Sequence, residues 1–203
     1  REALAGGQNP FAGILSCADS RIAPEYAFDS GRGDLFVCRV AGNFAGDETI
    51  ASLEYAQAVL NTPLFMVLGH DSCGAIDATI KSLKDNSTLP GHLPTLVSAL
   101  APAVKASEGK AGDHLANAIR QNVIDNVAKL RSATPILNAA VDKGKLRSVG
   151  GIYLWDSRAD AEAVFTESWR EYVRGKYNSE PTVTYFDSPV TVDNVTHEIV
   201  SDA

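Results

Sequence analysis

Three side chains able to bind a metal stand where short apolar runs end. Cys17 closes the run 11–17, and His70 and Cys73 follow the run 64–68. An i, i+3 pair such as His70 and Cys73, set on a strand-to-helix turn, can aim both side chains at one point, and Cys17 can approach from a neighbouring strand. Two thiolates and one imidazole form a known catalytic zinc set. Three protein ligands leave the fourth position to solvent, whereas a structural site fills all four. Taken singly, each residue would also suit a buried small hydrophobe or a satisfied turn. The stretch Cys17-Ala18-Asp19-Ser20-Arg21 argues for chemistry, because a strand end that merely buries a cysteine has no need of a carboxylate and a guanidinium at alternate positions after it. The third cysteine, Cys38, lies inside the run 35–40 and reads as core. An odd cysteine count in a chain of this size favours metal or catalytic use over a disulfide framework.

These residues need a rigid frame. The runs 11–17 and 35–40, bounded by Pro10, Asp19, Gly33 and Gly42, read as buried strands. Over 47–60 the apolar residues Ile50, Leu53, Ala56 and Leu60 recur at helical intervals, with Asp47 as N-cap and Asn61-Thr62-Pro63 as the stop. A strand at 64–68 follows, and Gly69 turns the chain into a helix over 73–84. Strands alternating with helices demand a parallel sheet. The expected fold class is therefore α/β, a mainly parallel central β-sheet flanked by helices, whose strand C-termini are where ligand sites are built. Further on, 86–93 reads as a loop and 135–142 as a short helix. Leu115, Ile119, Val123, Val127 and Leu130 mark a long amphipathic helix, and 146–153 a strand with a Gly150-Gly151 pair. From Ser157 the texture changes to a charged helix, 159–174, with Val164, Trp169 and Val173 inward, and then a strand, 182–186. The expected division is a zinc domain at 1–155 and an extension at 156–203 packing on that domain or on a dimer interface. No internal repeat or low-complexity segment is seen.

The chain has 203 residues, 45% of them hydrophobic and 21% charged, the make-up of an ordinary globular protein. A net charge of −7 without a Lys/Arg cluster argues against nucleic acid and leaves a small or anionic partner. No apolar stretch approaches the ~20 residues needed to span a bilayer, so no membrane partner is expected. The chain opens with Arg1 rather than Met, so the expectation is a beginning lost to processing or trimming, and a cytoplasmic location.

Cys17-Ala18-Asp19-Ser20-Arg21 together with Gly69-His70-Asp71-Ser72-Cys73-Gly74 resembles the paired signature of the β-carbonic anhydrases. The resemblance extends over 7–153 and includes Gly33-Asp34-Leu35-Phe36-Val37 and Glu54-Tyr55-Ala56. It implies that family's dimer-based α/β fold, one Zn2+ per subunit, and reversible hydration of carbon dioxide to bicarbonate and a proton. In the family, the residue matching Asp19 accepts a hydrogen bond from the zinc-bound hydroxide, and the one matching Arg21 holds that carboxylate ionised. Gln8, nine positions before Cys17, matches a glutamine facing the substrate. Gly74 matches a backbone N–H donor beside the metal, and Phe36 and Tyr55 match apolar wall residues from the partner subunit. Some members carry a second bicarbonate pocket that needs a tryptophan three positions before the first cysteine ligand. Here that position is Ile14, so although Arg39 is present the pocket is expected to be absent.

The physical case for Asp19 and Arg21 runs beside the resemblance. Two thiolates neutralise zinc charge that three histidines would leave, so the bound water is harder to deprotonate unless an acceptor stabilises its ionised form. A lone carboxylate in a dry pocket would protonate. A bidentate guanidinium prevents that.

Two other readings stay open at this level: a carbonyl sulfide or carbon disulfide hydrolase using the same nucleophile, and a non-enzymatic zinc or bicarbonate sensor. Among the remaining residues, His92 sits in a loop and could relay protons, though a solvated histidine is the plainer reading. His114 and His197 read as surface, and Trp155 and Trp169 as packing anchors. The segment 155–189 also partly resembles the second half of a small dimeric barrel of the antibiotic-biosynthesis-monooxygenase kind. No separate activity follows from half a barrel.

Overall fold

The computed structural model describes residues 4–146 and 148–154 and, further on, 167, 171, 190–193 and 198–201. The chain divides into two compact units, Arg1–Leu154 and Trp155–Ala203.

In the first unit four strands form one parallel sheet in the order β2-β1-β3-β4: β1 (Ala12–Ser16), β2 (Leu35–Arg39), β3 (Leu64–His70) and β4 (Ser148–Leu154). Every residue of β1 is buried, as befits a central strand covered on both faces. Side chains alternate between those faces. Leu15, Phe65 and Val67 join Leu53, Val123, Leu130 and Leu137 in one core cluster, while Ile14 and Leu68 meet Ala12 and Ile22 in another. Gly13 leaves room for a neighbour, since a Cβ there would lie 2.6 Å from Cδ1 of Phe65 on the adjacent strand.

The helices are α1 (Pro24–Ala27), α2 (Asp47–Ala58), α3 (Gly74–Lys84), α4 (Leu93–Ser107), α5 (His114–Ser132) and α6 (Ile136–Asp142). Helix α5 starts at Asp113, whose carboxylate accepts from the Ala116 N–H at 2.7 Å. Three local details differ from the sequence expectation. Gly46, not Asp47, is the N-cap of α2. Asp47 is its first helical residue, where its charge still favours the positive end of the helix dipole. Gly69 lies within β3 rather than turning the chain. The strand runs to His70 because the ladder with β4 continues to the His70–Leu154 pair, and the turn falls at Ser72, whose φ is +48°. Helix α4 is not expected from the sequence. Pro94 sits in its first turn, where a missing N–H costs nothing, while Pro102 breaks the helical pattern that Leu100, Ala103 and Val104 would otherwise advertise.

In the second unit the described strands β5 (Val190–Asp193) and β6 (Glu198–Ser201) pair antiparallel, an element the sequence did not announce. Glu167 and Glu171 are helical. The rest of the expected helix 159–174, the strand 182–186, Trp155, Trp169 and His197 lie outside the described residues, as does the proposed packing of the extension.

Candidate metal centre

β1 and β3 are neighbours running the same way, so Cys17, just past the end of β1, and His70, the last residue of β3, emerge at one edge of the sheet. Cys73 is the N-cap of α3. The ligand atoms of Cys17, His70 and Cys73 all lie within 4.8 Å of one another, and all three residues are buried. Nε2 of His70 is buried without a hydrogen-bond partner, a position a folded protein rarely leaves unexplained. A soft cation held by two sulfurs and that nitrogen would satisfy it, so the donor set fits zinc.

The loop carrying Cys17 is pinned from several sides. Arg39, at the end of β2, donates from Nε to the Cys17 carbonyl at 3.0 Å and from Nη2 to the Asp19 carbonyl at 2.6 Å. The Gly42 N–H points at Cys17 Sγ, 3.3 Å away. Asp19 accepts from Arg21 Nε at 2.9 Å, from Nη2 at 2.8 Å and from the Arg21 backbone N–H at 3.0 Å. Arg21 Nη2 also donates to the Ser72 carbonyl at 3.2 Å.

These contacts set the charges. The hydrogen bonds from Arg21 hold the Asp19 carboxyl well below the usual carboxylate range, against the pull of burial. The Cys17 pKa is lowered, chiefly by the neighbouring Cys73 side chain, with His70 and the Gly42 N–H helping and burial opposing. Cys73 moves the other way, raised by the adjacent Cys17 and by burial. The two sulfurs shift in opposite directions because ionising one opposes ionising the other. For His70, burial disfavours the charged ring, but the Cys17 sulfur together with Asp19 and the Asp71 backbone favours it, and the net shift is upward.

Gly74 is the first residue of α3, next to Cys73, and its open side would leave an added Cβ with nothing within 4 Å. Gln8, Phe36 and Tyr55 are placed elsewhere. Phe36 pairs in register with Gly13, at the start of β1 and far from Cys17. Its ring stands 6.4 Å from that of Tyr55 on α2, which is half exposed. Gln8 is exposed and precedes β1, in a segment whose Phe11 N–H bonds to the Asp34 carbonyl. One chain therefore does not bring these three to its own cluster. Sequence reasoning missed Gly42 and Ser72 as backbone partners of the site. The only signal was Gly42 standing just after a strand, since backbone donors leave no mark in residue type.

The family model described as carbonic anhydrase matches residues 12–159, a span that holds all three ligands, Asp19 and Arg21. The chain belongs to the β-carbonic anhydrase family. It is thereby an enzyme of the carbonic anhydrase class. A carbonic anhydrase 2 of Mycobacterium tuberculosis is 39% identical over 160 residues, covering 78% of this chain and 77% of that protein. A carbonic anhydrase of Mycolicibacterium smegmatis is 35% identical over 161 residues, covering 79% and 78%. Among solved β-carbonic anhydrases, the Coccomyxa enzyme in complex with acetazolamide superposes with a TM-score of 0.66 at 27% identity, covering 76% of this chain and 71% of that one. One of two tetrameric enzymes from Sordaria macrospora gives 0.65 at 26% identity, covering 76% and 80%.

Proposed function

We propose that this chain hydrates carbon dioxide reversibly to bicarbonate and a proton, with one zinc ion per subunit held by Cys17, His70 and Cys73. The observation that carries the proposal is the convergence of three buried ligand atoms within 4.8 Å beside an ionised Asp19. When bound, zinc supplies the Lewis acidity that makes a solvent molecule nucleophilic near neutral pH. Asp19, fixed in direction by the two-pronged bond from Arg21, accepts a hydrogen bond from the attacking solvent and so turns its lone pair toward carbon. Gly74, as the first residue of α3, has a backbone N–H that no carbonyl within the helix can take, and it offers that donor to a substrate oxygen. Arg39 and the Gly42 N–H hold the Cys17 loop still while this happens.

The linear, apolar substrate needs a dry wall. We assign that wall to the partner subunit's Phe36 and Tyr55, with the partner subunit's Gln8 facing the substrate, because a single chain keeps all three away from its own cluster. The working unit in this reading is a homodimer or a dimer-based oligomer. Among the described residues no helix is long and apolar enough to cross a membrane.

Stopped-flow carbon dioxide hydration, run beside sulfide release from carbonyl sulfide and carbon disulfide, tests the reading. Faster turnover of carbon dioxide supports it. Faster sulfide release would assign the chain to the sulfur analogues, and zinc retention with no turnover of any of the three would make it a sensor.

A further inference from the structure

Helix α5 buries several side-chain amides, and two of them lead to the metal centre. Asn122 and Asn126, four residues apart and hence on one face, are 1% and 6% exposed. Asn126 Nδ2 donates to the carbonyl and to Oδ1 of Asn122, at 2.7 and 3.0 Å, and its own Oδ1 accepts from the Ala45 N–H at 2.7 Å. Asn122 Nδ2 donates to the Gly42 carbonyl at 2.8 Å. Gly42 in turn gives its N–H to Cys17 Sγ at 3.3 Å. The Gly42–Ala45 loop is thus gripped at both ends by amides that lie 80 and 81 residues away in sequence. Gly42 also has a φ of +82°, and a Cβ there would come within 2.7 Å of Leu100. The loop has one way to sit, and that way aims a backbone dipole at sulfur.

We propose that Asn122 and Asn126 are positioning residues of the metal centre, which set the strength of the Cys17–metal bond by holding the Gly42 N–H on the sulfur. The inference rests on the zinc reading of the cluster. An N–H donated to a ligating thiolate draws charge from it, so the sulfur gives less to the metal. Changing partners of this outer kind alters metal affinity by about 10- to 100-fold. Buried amides otherwise cost desolvation free energy, which is offset here because every polar atom named above has a partner.

The test uses the full chain loaded with cobalt(II) in place of zinc, whose thiolate-to-metal charge-transfer band reports on the sulfur directly. Asn122→Ser should move that band to longer wavelength and change the rate of metal loss to a chelator by about tenfold or more. Asn126→Ser should shift it the same way but less. Asn117→Ser is the control. Asn117 is a buried amide of the same helix, but its Nδ2 donates to the Ala111 carbonyl at 3.0 Å, away from the loop. It should lower stability while leaving band and release rate at the parent values. Parental bands in both Asn122→Ser and Asn126→Ser, or an equal shift in Asn117→Ser, would overturn the inference while leaving the zinc reading intact. A parent protein that takes up no cobalt would overturn that reading, and the inference with it.

Discussion

Arg21 donates a hydrogen bond to the main-chain carbonyl of Ser72, 51 residues further along the chain. Ser72 immediately precedes Cys73, while Arg21 is already clamped to Asp19, two residues after Cys17. One guanidinium therefore ties together the two loops that carry the sulfur ligands. A planar fork can grip a carboxylate and still reach a carbonyl; a point-charge ammonium cannot do both.

Replacing Asp19 with Asn keeps the shape of the side chain but removes its charge and puts an N–H donor where one carboxylate oxygen accepted a hydrogen bond. Zinc content should stay near one per chain while turnover of carbon dioxide falls by about a hundredfold or more. Metal analysis beside stopped-flow hydration checks this, and full activity in a zinc-replete variant would refute the role.

Arg21→Lys keeps the charge and loses the fork. The folded Asp19 carboxyl lies below its unfolded value of about 3.9, so the pair adds stability above that pH and loses it as pH falls through that value toward the folded one. Arg21 is 63% exposed, so solvent screens the pair and the contribution is small. Urea unfolding should show the variant less stable than the parent at pH 6 to 7 by under about 1 kcal/mol, with the gap narrowing as pH falls below about 4. A gap that widens in acid would contradict the assignment.

The metal-free protein should carry one thiolate across the neutral range. Ultraviolet thiolate absorbance should appear well below the ordinary thiol range and vanish in Cys17→Ser. Cys73 should remain a thiol until metal displaces its proton, so zinc uptake should acidify a weakly buffered solution. Absence of thiolate until the ordinary thiol range would count against the shared-proton arrangement.

Gly42→Ala should destabilise the fold by about 1 to 3 kcal/mol, because a φ of +82° is strained for any residue bearing a Cβ. Leu100→Ala empties core volume and destabilises by itself, but it removes the close approach and not the strain, so Gly42→Ala should cost as much in that background as in the parent. A Gly42→Ala substitution without cost in the Leu100→Ala background, read from urea midpoints, would show that packing, not backbone, dictates glycine here.

The sequence made the parallel sheet and the ligand trio legible because both leave residue-type marks: apolar runs for β1, β2 and β3, a cysteine after β1, and a histidine and a cysteine at and after the end of β3. The Asp19–Arg21 pair was legible for the same reason, since a carboxylate and a guanidinium two positions apart are visible in the sequence. Helix α4 was not, because Pro102 interrupts its apolar period. The hold of Asn122 and Asn126 on Gly42 was hidden for a different reason. A hydrogen bond from a helix amide to a backbone carbonyl 80 residues away depends on tertiary placement alone. Likewise, nothing in the residue type of Ser72 announces that its carbonyl accepts from Arg21.

X-ray absorption at the zinc edge of the full chain, recorded under turnover conditions, tests the central claim most directly. Cys17, His70 and Cys73 should give two sulfur neighbours near 2.3 Å and two nitrogen or oxygen neighbours near 2.0–2.1 Å. The oxygen contribution should change when an anionic inhibitor displaces solvent. A first shell with fewer than two sulfurs, or a fourth neighbour that is a protein atom no inhibitor can displace, would contradict the account.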